Sequence, residues 1–278
     1  MIEVRDLTYS YPGTAAPALR AVNLSIPRGQ VVGIVGANGA GKSTLCYALT
    51  GYVPHFFAGS MSGTVRVDGR DIGKVPLGQL AAEIGLVFHN PFNQISGARL
   101  TVLEEVAFGL ENMGVERGAM LPRALTALQA TGLEHLTERS PYSLSGGEQQ
   151  RLAIAAILAM EPSVMVMDEP TSQLDPVGTR EVLAVLRDLA RSRRATVVVA
   201  EHKLGWLAAF SDRLIGIHNG EIVADGTPQE VFSSERIDEW RLGQPLVTKV
   251  GRAVEVAEGR PRTGLLPVTV EQALDALS

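Results

Sequence analysis

A glycine-rich stretch at residues 36–44, "GANGAGKST", has the residue types and the spacing of a phosphate-binding loop. Glycines let the backbone wind so that successive N–H groups point at phosphate oxygens, and the positive end of a following helix adds to the attraction. Lys42 would reach the β and γ phosphates of a nucleotide, and the Ser43 hydroxyl would ligate Mg²⁺. The residues that we expect to bind the nucleotide here are Gly36, Asn38, Gly39, Gly41, Lys42, Ser43 and Thr44.

Two adjacent acids, Asp168 and Glu169, end the apolar run "VMVMDEP". An apolar strand that stops at two carboxylates presents them where a metal-bound phosphate could lie. Asp168 suits the shell of Mg²⁺. Glu169, one residue further along, could orient and deprotonate an attacking water, which requires a carboxylate that is held off the metal. The alternative is a strand that is merely capped by acids before Pro170.

A histidine follows a third apolar run, "IGLVF", at the point where His89, Asn90 and Pro91 break the pattern. A buried strand that stops at a polar side chain often delivers that side chain to a ligand. The alternative is a satisfied or exposed loop histidine, since histidine is intermediate in burial and needs no ligand to lie there.

The elements that must position these residues follow from the periodicity of the apolar residues. Short, continuously apolar runs separated by helical patterns predict a parallel sheet that is covered on both faces. The runs are "VVGIVG", "IGLVF", "VMVMD" and "TVVVAE". Alternating segments near the N-terminus predict an antiparallel layer, and Asn219-Gly220 between two runs predicts a tight hairpin. The strand before the phosphate loop and the helix after it argue against a chance match of the loop pattern.

Composition narrows the class of protein further. The chain has 278 residues, 45% of them hydrophobic, which suits one elaborate domain or one domain with an appendage. The formal net charge of −5 gives no global basic field, so nucleic acid is not expected as a partner. The single Cys46 excludes an internal disulfide, and we expect it to be a small buried hydrophobic residue. No segment resembles a signal peptide or is apolar for long enough to span a bilayer.

The stretch "LSGGEQQR", residues 144–151, adds a third element. Ser145 and Glu148 have the spacing of a capping box that opens a helix over residues 147–160. The glycine pair would leave the Ser145 hydroxyl and the first-turn N–H groups open to an external anion. This stretch resembles the signature motif of ATP-binding cassette (ABC) ATPases, and the order of elements over residues 1 to about 234 matches that family.

The resemblance implies an α/β fold of the P-loop NTPase class, the ABC-ATPase fold. That fold has a RecA-like parallel-sheet core, an N-terminal antiparallel β layer and a helical subdomain at about residues 90–160. Residues Ser145, Gly146 and Gly147 would bind the γ-phosphate of ATP held by a second ATPase subunit, either an identical copy or a paralogue. Tyr11 matches the aromatic residue that stacks on adenine, and Asp175 in "SQLD" resembles the D-loop. His202 in "VVVAEHKL" matches the switch histidine near the γ-phosphate.

His89 occupies the position where ABC ATPases usually carry the Q-loop glutamine, which senses Mg²⁺ and the attacking water. An imidazole can also hydrogen-bond or ligate, so His89 is a candidate nucleotide and metal ligand beside Ser43 and Asp168. The following segment, residues 90–112, resembles the Q-loop region of energy-coupling factor (ECF) importers of vitamins, vitamin precursors or metal ions. The resemblance implies that Thr101–Asn112 docks a transmembrane coupling subunit, that a separate membrane subunit binds the substrate, and that the ATPase is peripheral on the cytoplasmic side of the membrane.

Two other classes of function share part of this pattern. A soluble ABC ATPase that acts on DNA or the ribosome would usually carry a coiled-coil insertion or two tandem cassettes, and neither is present in the sequence. A P-loop kinase would share "GANGAGKST" but has no use for "LSGGEQQR".

The tail, residues 235–278, changes character and is broken by Pro245, Pro261 and Pro267. We expect it to be an appendage that contributes to pairing of ATPase subunits rather than to nucleotide chemistry. It carries apolar residues that a lone tail would leave exposed: Leu246, Leu265, Leu266 and Leu274.

Overall fold

The computed structural model describes residues 1–193, 195–257, 259 and 264–277. The strands are β1 (Ile2–Ser10), β2 (Leu19–Ile26), β3 (Val31–Val35), β4 (Ser60–Val67), β5 (Arg70–Asp71), β6 (Ile84–Val87), β7 (Val164–Asp168), β8 (Thr196–Ala200), β9 (Arg213–His218) and β10 (Glu221–Gly226). The helices are α1 (Lys42–Leu49), α2 (Tyr52–His55), α3 (Leu77–Leu80), α4 (Val102–Asn112), α5 (Arg117–Ala130), α6 (Gly146–Met160), α7 (Pro176–Arg193), α8 (Leu204–Phe210), α9 (Pro228–Ser233), α10 (Leu246–Ala257) and α11 (Val270–Leu277).

The central sheet has the strand order β10-β9-β3-β8-β7-β6. All pairs from β9 to β6 are parallel, and β10 joins antiparallel through the predicted Asn219-Gly220 hairpin, whose two turn residues have φ of 49° and 81°. Every residue of β3, β6, β7 and β8 is buried, as continuous apolar runs require when both faces of a sheet are covered. The predicted parallel core is therefore confirmed.

The N-terminal antiparallel layer is confirmed as a second sheet of order β2-β1-β4-β5. Alternate residues of β2 from Val22 to Ile26 are buried, as expected for a strand with one face on the core. Ile2 and Val65 from this layer lie in one apolar core with Ile34, Leu45 and Val198 of the central sheet and α1. The layer thus covers the face of the central sheet on which α1 lies.

A helical bundle of α4, α5 and α6 has a separate core that includes Val106, Leu128 and Leu152. This bundle lies inside the segment that we expected to be the helical subdomain. Its middle helix, α5, begins at Arg117 and ends at Ala130. The helix continues through Pro122, which lies in its second turn, and Gly132 at φ 69° follows its end.

The tail differs from the appendage that the sequence predicted, because much of it packs on the second face of the central sheet. Ile237, Leu242 and Val268 lie in the same apolar core as strand residues of β7 and β8. Leu266, which we expected to be exposed, is 4% exposed, and its N–H donates to Ser233 Oγ at 2.8 Å. Pro261 lies outside the described residues. Leu246, Leu265 and Leu274 are exposed as expected.

Cys46 is fully buried, and burial raises the pKa of its thiol well above the ordinary value. No helix among the described residues is long and apolar enough to cross a membrane.

Candidate functional site

The glycine-rich loop lies between the last residue of β3 and the first residue of α1. Gly41 adopts φ 112°, a left-handed conformation that other residues avoid, and this directs the chain into α1. Gly36 is required for a different reason: a Cβ there would lie 2.4 Å from the carbonyl oxygen of Ile217 on β9. The loop is therefore held tightly against the central sheet, at the carboxyl end of its strands.

Lys42 is buried at the start of α1, with 5% of its surface exposed. Its Nζ donates to the carbonyl oxygens of Gly36 and Ala37, at 3.1 and 3.2 Å, and lies 3.2 Å from His202 Nε2. Burial lowers the pKa of Lys42, while the carboxylates of Glu169 and Asp168 act in the opposite direction. The ammonium group thus lies between its own loop and the acids that follow β7.

Asp168, the last residue of β7, is 2% exposed, and burial raises its pKa although the Ser43 hydroxyl hydrogen-bonds to it. Its Oδ1 is buried and has no hydrogen-bond partner. A hydroxyl beside an unpartnered carboxylate oxygen is a donor set that suits Mg²⁺, which prefers oxygen ligands. The described residues hold no cluster of three or more His, Cys, Asp or Glu side chains that could hold a metal alone. This fits an ion held by one carboxylate together with nucleotide phosphates.

Glu169 lies between two histidines. Its Oε2 is 2.9 Å from His89 Nδ1, and its Oε1 is 3.0 Å from His202 Nε2. The residue adopts φ 51°, and its N–H donates to the Ala200 carbonyl of the neighbouring strand at 2.9 Å, which fixes its backbone beside β8. An unbroken line of polar contacts therefore joins Lys42, His202, Glu169 and His89.

The position of His89 refines what the sequence predicted for it. Its Nδ1 contacts the Glu169 carboxylate rather than Asp168 or Ser43. If Nδ1 carries the proton, the Nε2 lone pair remains available to a nucleotide or a metal. The His89 side chain is 52% exposed.

The side chain of Tyr11 lies beside the first turn of α1, the helix that follows the phosphate loop. Its Oη is 3.2 Å from Thr44 Oγ1, and its ring meets Tyr9 edge-on at a centroid distance of 4.9 Å. The structure thus brings Tyr11 to the nucleotide-binding loop, and stacking on adenine stays a prediction.

Ser145 caps α6 through the predicted capping box with Glu148, and binding of a γ-phosphate at Ser145 stays a prediction. The Ser145 hydroxyl donates to Glu148 Oε2 at 2.8 Å and accepts from the Glu148 N–H at 3.4 Å, and Ser145 is exposed at the surface. The Ser145 N–H also donates to Glu148 Oε2, at 2.7 Å, and this bond, followed by the bond from the Ser145 hydroxyl, lowers the pKa of Glu148. Gly146 and Gly147 lie against Gln173: a Cβ on Gly147 would be 3.2 Å from the Gln173 carbonyl oxygen.

The two polar neighbours of His202, Glu201 and Lys203, were not identified from the sequence. Glu201 is 4% exposed and Lys203 is half-buried, and both side chains bond to the segment that follows Glu169. The signal was present, because Glu201 ends the apolar run of β8 as Asp168 and Glu169 end β7. The predicted D-loop residue, Asp175, accepts from the Gly178 N–H at 2.8 Å at the start of α7.

Comparison with known proteins agrees with this geometry. The ABC transporter family model matches residues 19–172. An ECF transporter ATP-binding protein, EcfA, of Methanothermobacter thermautotrophicus is 41% identical over 84% of this chain and 72% of its own length. A Pyrococcus abyssi protein with the more general name of ABC transporter ATP-binding protein is 44% identical over 90% of this chain and 88% of its own length. The chain belongs to the ABC transporter ATPase family, whose members bind and hydrolyse ATP.

Solved structures show the same fold. cbiO1 from Clostridium perfringens, described as part of the ABC transporter complex cbiONQ, is similar with a TM-score of 0.74 and 33% identity, covering 91% of this chain and 98% of that one. An ATP-binding cassette solved as a dimer bound to ADP and Pi is similar with a TM-score of 0.72 and 30% identity, covering 82% of this chain and 99% of that one.

The contact of Gly36 with β9 generates a prediction. Gly36→Ala should weaken ATP binding by about tenfold or more, because the new methyl group must push the loop away from a backbone oxygen that cannot yield. Isothermal titration calorimetry with ATP measures this. Gly78→Ala is the matched control, since a Cβ there meets nothing within 4 Å. Unchanged affinity for ATP in Gly36→Ala would contradict the inferred close packing of the loop against β9.

Proposed function

We propose that this chain is the ATP-hydrolysing subunit of an ECF-type membrane importer for a vitamin, a vitamin precursor or a metal ion. The observation that carries the hydrolytic part is the Glu169 carboxylate between His89 and His202, one residue beyond the buried Asp168. The names of the EcfA relatives and of the cbiONQ complex support the importer part. The alternative is a soluble ABC-type ATPase that is not coupled to transport.

The proposed mechanism assigns each side chain one task. Lys42 and the loop N–H groups bind the phosphates, and Ser43 and Asp168 hold Mg²⁺. Mg²⁺, when bound, neutralises the charge that develops on the transferred phosphoryl group. Glu169 accepts the proton of the attacking water, and His89 and His202 keep its carboxylate aimed at that water. Ser145, Gly146 and Gly147 approach the γ-phosphate held by a second subunit, so that ATP binding draws the subunits together and hydrolysis releases them.

Glu169→Gln tests the assignment of the base. The amide keeps the shape of the side chain and cannot accept the proton, so steady-state hydrolysis should fall by about 100-fold or more while ATP binding persists. Phosphate release and nucleotide titration measure the two properties separately. Turnover close to that of the parent would exclude Glu169 as the base, and Glu221→Gln, an exposed acid on β10, is the matched control.

The surface around α4 supports docking of a transmembrane subunit. A cavity of about 200 Å³ lies between the central sheet and the helical bundle, lined among others by Tyr52, Phe88 and Met160. Phe92, which directly follows His89, Asn90 and Pro91, is 58% exposed. The buried Glu105 of α4 accepts from the Ser96 N–H at 2.6 Å and from its hydroxyl at 2.8 Å, which ties α4 to the segment that begins at His89. A partner that moves α4 would therefore also move this segment, whose first residue, His89, contacts Glu169.

Arginine substitutions test this docking surface. Ala107→Arg on α4 and Phe92→Arg should abolish co-purification with the membrane subunits and leave ATP binding intact, because each buries an unpaired charge in the interface. Ala184→Arg, at an exposed position of α7, should assemble normally. If both docking variants assemble as the parent does, the soluble-ATPase alternative gains.

The tail supports a role in subunit pairing. Leu246, Val250 and Val254 are 78%, 55% and 37% exposed and follow one another at a spacing of four residues on α10. Positions four apart share one helix face, so these residues form an apolar stripe on the surface. We propose that a second ATPase subunit covers this stripe.

A same-helix comparison tests the pairing role without removing core residues such as Leu266. Leu246→Glu with Val250→Glu should weaken dimerisation in ATP-dependent light scattering, because two charges would have to be desolvated. Val256→Glu is the control, since Val256 is 57% exposed but lies on another side of α10. Equal dimerisation of both variants would mean that the stripe has another role.

A further inference from the structure

Two segments meet behind the nucleotide site: residues 201–203, which follow β8, and residues 171–174, which follow Glu169. The first carries His202 and the second leads to the D-loop Asp175. The side chains of Glu201 and Lys203 join the two segments, and their hydrogen bonds go to Thr171, Leu174, Thr179 and residues 202–203 rather than to the residues that we assign to phosphate or metal binding.

Glu201 uses both carboxylate oxygens for this junction. Oε1 accepts from the Thr171 N–H at 3.1 Å and from the Thr171 hydroxyl, and Oε2 accepts from the N–H groups of His202 at 2.7 Å and Lys203 at 3.3 Å. Glu201 is 4% exposed and Thr171 is fully buried. A buried carboxylate is costly unless such donors surround it, so these four bonds define one geometry for the junction.

Lys203 closes the junction from the other side. Its Nζ donates to the Thr171 carbonyl at 2.7 Å, to the Leu174 carbonyl at 3.1 Å and to Thr179 Oγ1 at 3.3 Å. An ammonium group has three donors, and these acceptors use all of them. Thr171 is therefore held by Glu201 through its N–H and hydroxyl and by Lys203 through its carbonyl.

The junction reaches both catalytic surfaces of the chain. Its first segment positions His202, which contacts Glu169 and Lys42. Its second segment carries Gln173, which packs against Gly146 and Gly147. In the proposed dimer these two surfaces serve different nucleotides, because His202 faces the chain's own ATP and the glycine pair faces the ATP of the second subunit.

We infer that Glu201 and Lys203 are positioning residues for hydrolysis, which fix His202 relative to the turn at residues 171–174. The inference rests on the proposed function, since it requires that His202 and Glu169 act on ATP. Misplacing the junction should slow the chemical step while leaving the binding of ATP, which depends on the loop at residues 36–44, nearly unchanged.

The test uses the full chain and compares kcat with KM for ATP. Thr171→Val removes the hydroxyl that Glu201 binds and keeps the shape of the side chain, and Lys203→Met removes the ammonium group and keeps the stem. Each should lower kcat by about tenfold or more and change KM by less than about threefold. Thr171→Ser, which keeps the hydroxyl, should restore kcat to within about twofold of the parent.

Lys249→Met and Glu221→Gln are the controls, since both residues are exposed and distant in sequence from the site. Equal kcat in Thr171→Ser and Thr171→Val, or parental kcat in both Thr171→Val and Lys203→Met, would overturn the inference. Glu169→Gln, assayed in parallel, separates the two levels: an inactive Glu169→Gln beside an active Thr171→Val refutes the positioning role alone. Full turnover in Glu169→Gln refutes the proposed function and the inference with it.

If Thr171→Val does not fold, Glu201→Gln, which replaces one accepting oxygen with an amide group, takes its place with the same expected outcome.

Discussion

The parallel pairing of β3, β8 and β7 is the constraint on which the candidate site depends. These strands are neighbours in the sheet, so their carboxyl ends present the phosphate loop, His202 and the Asp168–Glu169 pair along one edge. In open α/β sheets this edge is where ligands bind, because loops there can vary while the strands stay fixed. β6 extends the same edge and delivers His89, which explains why a histidine lies at the end of a buried strand.

Electrostatics at this edge favours a bound magnesium nucleotide. Burial raises the pKa of Asp168 and lowers that of Lys42, so each buried group is shifted toward its neutral form. A cation beside Asp168 and phosphates beside Lys42 would oppose both shifts. In the proposed site, ligand and protein charges therefore compensate each other more fully than the protein charges do alone.

Local patterns made the strands, the phosphate loop, the capping box of α6 and the general order of the fold predictable. The runs of β3 and β7 are apolar throughout and the glycine spacing around Lys42 is specific, so both follow from sequence alone. Contacts between distant segments were not predictable in this way. The bond from the Thr171 N–H to Glu201 joins positions 30 residues apart, and the bond from the Leu266 N–H to Ser233 joins positions 33 residues apart, so neither leaves a periodic signal.

The order of strands in the sheet also affects how the chain folds during its synthesis. β3 lies between β8 and β9, which leave the ribosome more than 160 residues after it. Until those strands emerge, the apolar run that carries the phosphate loop has no partner in its sheet, and the nascent chain must keep it from aggregating. The phosphate loop can therefore take its place beside both neighbouring strands only late in synthesis, once β8 and β9 have emerged.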